Sequence, residues 1–77
     1  MSALQLWAVG QIVEWRLAEL KASRSGDLAA SASARESWER LAVSAGPEVY
    51  QRAEEAYQRA VPFYLDTPQR AAVEVLA

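Results

Sequence analysis

Aromatic side chains have the strongest chemical character in this sequence, and three tyrosines share one register. Tyr50, Tyr57 and Tyr64 are spaced by seven residues, in a segment that carries the phrase YQRA twice. With Ala53 and Ala60 between them, they follow the three-and-four spacing of one helix face. Each phenol hydroxyl needs water or a polar partner. The pattern therefore predicts a packing face at the edge of a core, or else a surface that binds a partner.

Groups suited to catalysis are scarce in this sequence. It contains no His and no Cys, which removes the usual nucleophile–base pairs and the commonest transition-metal ligand. Glu54 and Glu55 are adjacent and so point in different directions on a helix, whereas Glu36 and Glu39 could share a face but are flanked by arginines. No Gly-rich loop is present that could hold a phosphate. We expect no enzymatic activity, no metal and no cofactor.

The length of the chain and the distribution of its charges narrow the range of functions that the sequence suggests. The 77 residues suffice for one domain, residues 1–77. Eight basic and ten acidic residues are well mixed, and no basic stripe suggests a nucleic-acid partner. The apolar run LQLWAVGQIV, residues 4–13, is too short to span a membrane and lacks a preceding Lys or Arg. We therefore expect a cytoplasmic protein with no membrane span.

A core of this size has little stabilising capacity of its own. Domains below about 70–80 residues rarely gain more than about 3–5 kcal/mol from a single core, and they commonly add disulfides, metals or oligomerisation. The absence of Cys and His leaves oligomerisation or a partner chain as the expected support.

The composition is rich in Ala and poor in β-branched residues, which predicts an all-α bundle of about four helices. Ser2 and Gln5 have the spacing of a capping box, and Gly46 followed by Pro47 separates two helices. The expected helices cover approximately residues 3–22, 28–45, 47–61 and 68–76.

Two boundaries stay open in the sequence. Helix 2 could begin after Asp27, which we favour, or near Ala34 through a second capping box at Ser33. Pro62 either ends or kinks helix 3, and the Thr67–Pro68 pair favours a fourth helix from residue 68.

Helix 1 is apolar on two sides. Placed at 100° per residue, one stripe contains Leu6, Val9, Val13, Leu17 and Leu20. A second, roughly opposite, contains Leu4, Ala8, Trp15, Ala18 and Ala22, with Trp7 beside it. A helix with two apolar faces needs two surfaces to pack against. Either helix 1 is central in its own bundle, or one face meets another chain.

These features predict a non-catalytic protein–protein interaction module, either a small accessory subunit of a bacterial assembly or a phage or mobile-element inhibitor of a host protein. Self-association into a homo-oligomer is part of this expectation. Trp and Tyr are enriched among interface hot spots. The predicted partner-binding residues are Trp7, Trp15, Tyr50, Tyr57 and Tyr64. The alternatives are a helix-turn-helix-like nucleic-acid-binding regulator and a helical protein that lies on a membrane surface.

Overall fold

Three helices account for almost all of the chain. The computed structural model describes the backbone of residues 1–76 and the side chains of residues 1–64. The helices are α1 (Ala3–Arg24), α2 (Leu28–Ala45) and α3 (Pro47–Leu76). No strand occurs within residues 1–76, so the predicted all-α class is confirmed.

The N-terminus of α1 has the predicted capping box. Ser2 Oγ accepts a hydrogen bond from the Gln5 backbone N–H at 3.1 Å, and Gln5 Oε1 accepts one from the Ser2 N–H at 2.8 Å. These bonds satisfy two backbone donors that the first helical turn leaves unpaired. At its other end α1 extends to Arg24, two residues beyond the predicted boundary.

The early start of α2 is also confirmed. Asp27 Oδ1 accepts from the Ala30 N–H at 3.1 Å, which makes Asp27 the N-cap and Leu28 the first helical residue. The helix ends at Gly46, whose φ of +99° lies in the region that L-residues with a side chain rarely adopt. This glycine permits the abrupt turn by which α3 begins at the next residue.

The predicted division of the C-terminal region into two helices is wrong. Helix α3 runs without interruption from Pro47 to Leu76, through both Pro62 and Pro68, so neither the end at residue 61 nor the separate helix 68–76 is present. A proline inside a helix removes one backbone hydrogen bond at a cost of about 3 kcal/mol. The residues around Pro62 and Pro68 include many good helix formers, and the helix propagates past both prolines.

The three helices share a small core. Helix α1 contacts both α2 and α3, and its contact with α2 is the more extensive. Among residues 1–64, Ile12 of α1 and Val49 of α3 are the largest fully buried side chains, and the other buried positions are the alanines Ala8, Ala42 and Ala53. Val9, Val13, Trp38, Leu41 and Ala45 pack around this cluster while staying partly exposed.

The inward face of α1 differs from both stripes that its sequence suggests. Ile12 belongs to neither stripe; it lies on the flank that also carries Arg16 and Glu19. Both polar residues point into the bundle, where they bind side chains of α2 and α3. The two apolar stripes therefore lie on either side of the true core face, and the far side of α1 faces outward.

Candidate protein-binding surface

The first part of the candidate site is a groove between the N-terminal end of α1 and the C-terminal end of α2. It has a volume of about 290 Å³ and is lined by Leu4, Gln5, Trp7, Ala8, Leu41, Ser44 and Ala45. The two helices are antiparallel neighbours, which brings the start of one beside the end of the other. The small residues on α2 leave room beside Trp7 for a side chain from outside.

A second cavity of about 330 Å³ continues along the same pair of helices. Trp15 forms its α1 wall, and Ser37, Arg40, Leu41 and Ser44 form its α2 wall. Leu41 and Ser44 border both cavities, so the two spaces are adjacent. We call their combined lining the tryptophan groove. It is apolar at its base, with an arginine and two serines at its edge.

Apolar residues on the α1 side of this groove are unusually exposed, and so is Leu6, which precedes Trp7 in α1 but does not line the groove. The exposed fractions are 73% for Leu4, 59% for Leu6 and 55% for Trp7. A Cβ atom added to Gly10, one turn further along, would meet nothing within 4 Å. The N-terminal half of α1 therefore presents a wide apolar surface that no other part of residues 1–64 covers.

The centre of the bundle contains a polar cluster instead. The Arg16 guanidinium forms an ion pair with Glu54 and lies over two aromatic rings, 3.8 Å from the Tyr57 centroid and 5.1 Å from that of Trp38. The Trp38 indole N–H donates to Glu19 Oε1 at 2.9 Å. Cation–π contacts of this kind contribute most where water is excluded, and the Arg16 side chain is 17% exposed. We call these five residues the arginine cluster.

Glu54 is held in its ionised form by this surrounding. A hydrogen bond from the Gln58 amide is the main reason that the pKa of Glu54 is lowered. Burial acts in the opposite direction, and the hydrogen bond and the charge of Arg16 lower the pKa further. A carboxylate that is already paired in this way is a poor general base. The arginine cluster thus joins the three helices and offers no free reactive group.

The three tyrosines have different environments. Tyr57 is half-buried in the arginine cluster, and Tyr64 is half-buried further along α3. Tyr50 is exposed and stacks on Trp38, with ring centroids 6.3 Å apart. Beside this stack lies an open cavity of about 400 Å³, whose lining also includes Ala42, Val43 and Pro47.

The structure therefore brings together only part of the predicted partner-binding set. Trp7 and Trp15 line adjacent cavities, whereas none of Tyr50, Tyr57 and Tyr64 lines either of them. Leu41 and Ser44 of the groove were not among the predicted binding residues. The apolar spacing of Leu41 with Trp38 and Ala45 in α2 is typical of a packing face and gives no sign that Leu41 also borders a surface.

Other kinds of site find little support in the part of the chain that the structure describes. It contains no group of three or more acidic side chains arranged to hold a metal ion.

None of the described helices combines the length and the apolar character needed to cross a membrane.

Comparison with protein-family models, with curated proteins and with solved structures gave no match to this chain. The function is therefore inferred from the groove and from the distribution of buried and exposed residues.

Proposed function

We propose that this protein is a non-catalytic protein–protein interaction module that binds through the tryptophan groove. The groove presents Leu4, Trp7 and Trp15 to a partner, with Leu41 at its base. Two adjacent cavities along antiparallel helices suit apolar side chains that a partner helix presents on one face, one turn apart. Trp7 is the expected main anchor because a large, partly exposed aromatic ring gains most from being covered.

The observation that carries this proposal is the imbalance between covered and uncovered apolar residues. Ile12 and Val49 are the largest fully buried side chains among residues 1–64. Complete burial of such a side chain contributes about 1.5–3 kcal/mol, which is small against the cost of ordering the chain. Within residues 1–64, large apolar side chains that stay mostly exposed are more numerous and include Leu4, Leu6, Trp7, Leu28 and Val43. Covering some of them by a partner would supply stabilisation that the core lacks.

Both settings expected from the sequence would use this surface. An accessory subunit would bind a larger protein permanently through the groove, and an inhibitor would cover a functional surface of its target. In either setting the bound partner contributes to stability by mass action. The arginine cluster supports a non-catalytic role because Arg16 is paired with Glu54, and Glu19 accepts the indole N–H of Trp38.

Nucleic-acid binding remains the alternative, and the charge distribution favours it less. The exposed side of α3 carries Arg52 and Arg59 together with Glu48 and Glu55. A helix that approaches phosphates benefits from excess positive charge, and each acidic residue on that side opposes the approach.

Site-specific photo-crosslinking in the cells that naturally express the protein tests the proposal. A photoreactive residue replaces Trp7 in one variant and Glu55, an exposed residue of α3, in the matched control. We expect discrete crosslinked protein products from position 7 and none of comparable yield from position 55. Equal products from the two positions, or none from position 7, would remove the basis for the proposal.

A further inference from the structure

The side of α1 that faces away from the bundle has a charge pattern of its own. Its residues fall within about 100° of arc, opposite the buried Ile12. We call them the outer face of α1: Leu6, Trp7, Gly10, Glu14, Leu17, Lys21 and Arg24. We propose that this face binds the same face of a second copy of the chain, with the two α1 helices antiparallel. This inference goes beyond the proposed function, because the outer face shares only Trp7 with the tryptophan groove.

Three charges on the outer face have no ion-pair partner among the described side chains. Glu14, Lys21 and Arg24 are all exposed and form no such pair within residues 1–64. The other charged residues of α1 differ, because Arg16 pairs with Glu54 and Glu19 lies 4.0 Å from Arg35. The outer face thus offers charges that remain available for intermolecular contacts.

In an antiparallel pair of these faces, the basic end of one copy faces the aromatic end of the other. The face is aromatic at its N-terminal end, acidic in the middle and basic at its C-terminal end. Trp7, Glu14 and Lys21 repeat every seven residues, and so do Gly10, Leu17 and Arg24. Antiparallel helices pair members of one such series with members of the other.

One antiparallel register satisfies the aromatic and the charged groups together. It places Trp7 opposite Arg24 of the second copy, which allows a cation–π contact on each side of the two-fold axis. It also places Gly10 opposite Lys21 of the second copy. Helical side chains lean toward the N-terminus of their own helix, so Glu14 leans over Gly10 and meets that lysine. The same register sets Glu14 opposite Leu17.

No contact within residues 1–64 explains a glycine at position 10. A glycine in a helix interior destabilises the helix relative to alanine. Space is open around its Cβ position, so packing within the chain does not require it. In the proposed pair, the missing side chain gives room for the lysine of the second copy, which makes Gly10 useful only in the assembly.

Sedimentation velocity at low ionic strength, over a wide range of protein concentration, tests the pairing. The wild-type chain should form a dimer. Trp7→Ala should weaken dimerisation by about thirtyfold or more, as expected for an aromatic anchor. Glu14→Lys and Lys21→Glu should each weaken it by about tenfold, since each reversal places like charges together across the interface.

The double variant Glu14→Lys with Lys21→Glu provides the decisive comparison, because it restores opposite charges across the pair. We expect its dimerisation constant to return to within about threefold of the wild type. Residues seven apart in one helix are separated by about 10 Å along its axis, too far for an ion pair within the chain. A rescue therefore reports a contact between copies. Glu55→Lys on α3 is the matched control and should leave dimerisation unchanged.

Each other outcome overturns the pairing. A wild-type chain that stays monomeric throughout the range excludes a second copy as partner, and the crosslinking at position 7 then decides separately whether another protein binds there. A dimer that tolerates the Trp7 and charge variants uses a different surface. Failure of the double variant to recover, with circular dichroism showing that it is folded, contradicts the register.

Discussion

Arg16 and Trp7 lie on the same helix and have opposite surroundings. The cation Arg16 is enclosed by Glu54 and by the rings of Trp38 and Tyr57, whereas the large apolar ring of Trp7 is more than half exposed. A folded monomer ordinarily hides the apolar group and exposes the cation. This inversion underlies our proposal that two sides of α1 serve different purposes, cohesion of the bundle at Arg16 and association at Trp7.

The comparison also separates two kinds of stabilisation. The arginine cluster joins α1, α2 and α3 through directional contacts that specify how the helices meet. The exposed apolar residues around Trp7 add little until something covers them. Changes near Arg16 should therefore act on folding, and changes near Trp7 should act on binding.

The largest effect is expected at the inner side of α1, at Ile12. Ile12→Ala removes the larger part of a fully buried side chain from the core and leaves a cavity, so it should lower the free energy of unfolding by about 2–5 kcal/mol. Chemical denaturation monitored by circular dichroism measures this. Val43→Ala, at an exposed position of α2, is the control and should change stability by less than about 0.5 kcal/mol. Equal costs for the two would mean that Ile12 is not in the core.

A smaller loss is expected when the arginine cluster is broken. Arg16→Met keeps much of the side-chain volume but removes the ion pair with Glu54 and both cation–π contacts, and it should cost about 2 kcal/mol. The control is Arg40→Met, whose exposed ion pair with Glu36 should contribute about 0.5 kcal/mol or less. If Arg16→Met is neutral or stabilising, the cluster does not hold the bundle together.

A substitution at Pro62 tests how well α3 supports the interior of the bundle around Arg16. Because α3 continues through this position, Pro62→Ala should restore a backbone hydrogen bond and raise stability by about 1 kcal/mol. The sequence alone suggested the reverse effect if a turn at Pro62 were needed to fold a fourth helix back. Thermal unfolding distinguishes the two, since a lower melting temperature would indicate a required break.

Glu54 should make a small contribution to the change of folding stability with pH in the acidic range. Its pKa is lowered in the folded chain, chiefly by the hydrogen bond from Gln58 and also by Arg16. The pKa of Glu54 is lower in the folded chain than in the unfolded chain, where it is near 4.5, so ionised Glu54 stabilises the fold at pH values above 4.5. This contribution is lost as the pH falls toward the lowered pKa of the folded chain. Glu54→Gln should flatten the stability profile between about pH 5 and pH 3. An unaltered profile would show that Glu54 is not held by these contacts.

Much of the secondary structure follows from local signals in the sequence. The capping box at Ser2, the cap at Asp27 and the Gly46–Pro47 turn gave helix starts that the structure reproduces. These signals are reliable because each satisfies backbone groups within a few residues. Pro62 and Pro68 misled the prediction, since the cost of one lost hydrogen bond does not by itself end a helix whose neighbours favour it.

The core was harder to predict because its polar members resemble surface residues. Ile12 shares its side of α1 with Arg16 and Glu19, and it belongs to neither of the two apolar stripes that hydrophobic periodicity predicts. What turns it inward is the pairing of Arg16 with residues of α3 and α2 that are 38 and 22 positions away in the chain, Glu54 and Trp38. No local spacing reports such a contact. Trp7, by contrast, was placed beside the second stripe of α1, and the structure leaves it 55% exposed. Its partner-binding role remains a prediction.

Paired measurements on Trp7→Ala test the central claim most directly. Unfolding is measured by chemical denaturation at concentrations below dissociation, so that association does not add to apparent stability. Association is measured separately by sedimentation. We predict that the variant loses less than about 1 kcal/mol of monomer stability while its association weakens by about thirtyfold or more. A variant that unfolds the monomer and associates as strongly as the wild type would contradict the account, because Trp7 would then serve the fold and not a partner.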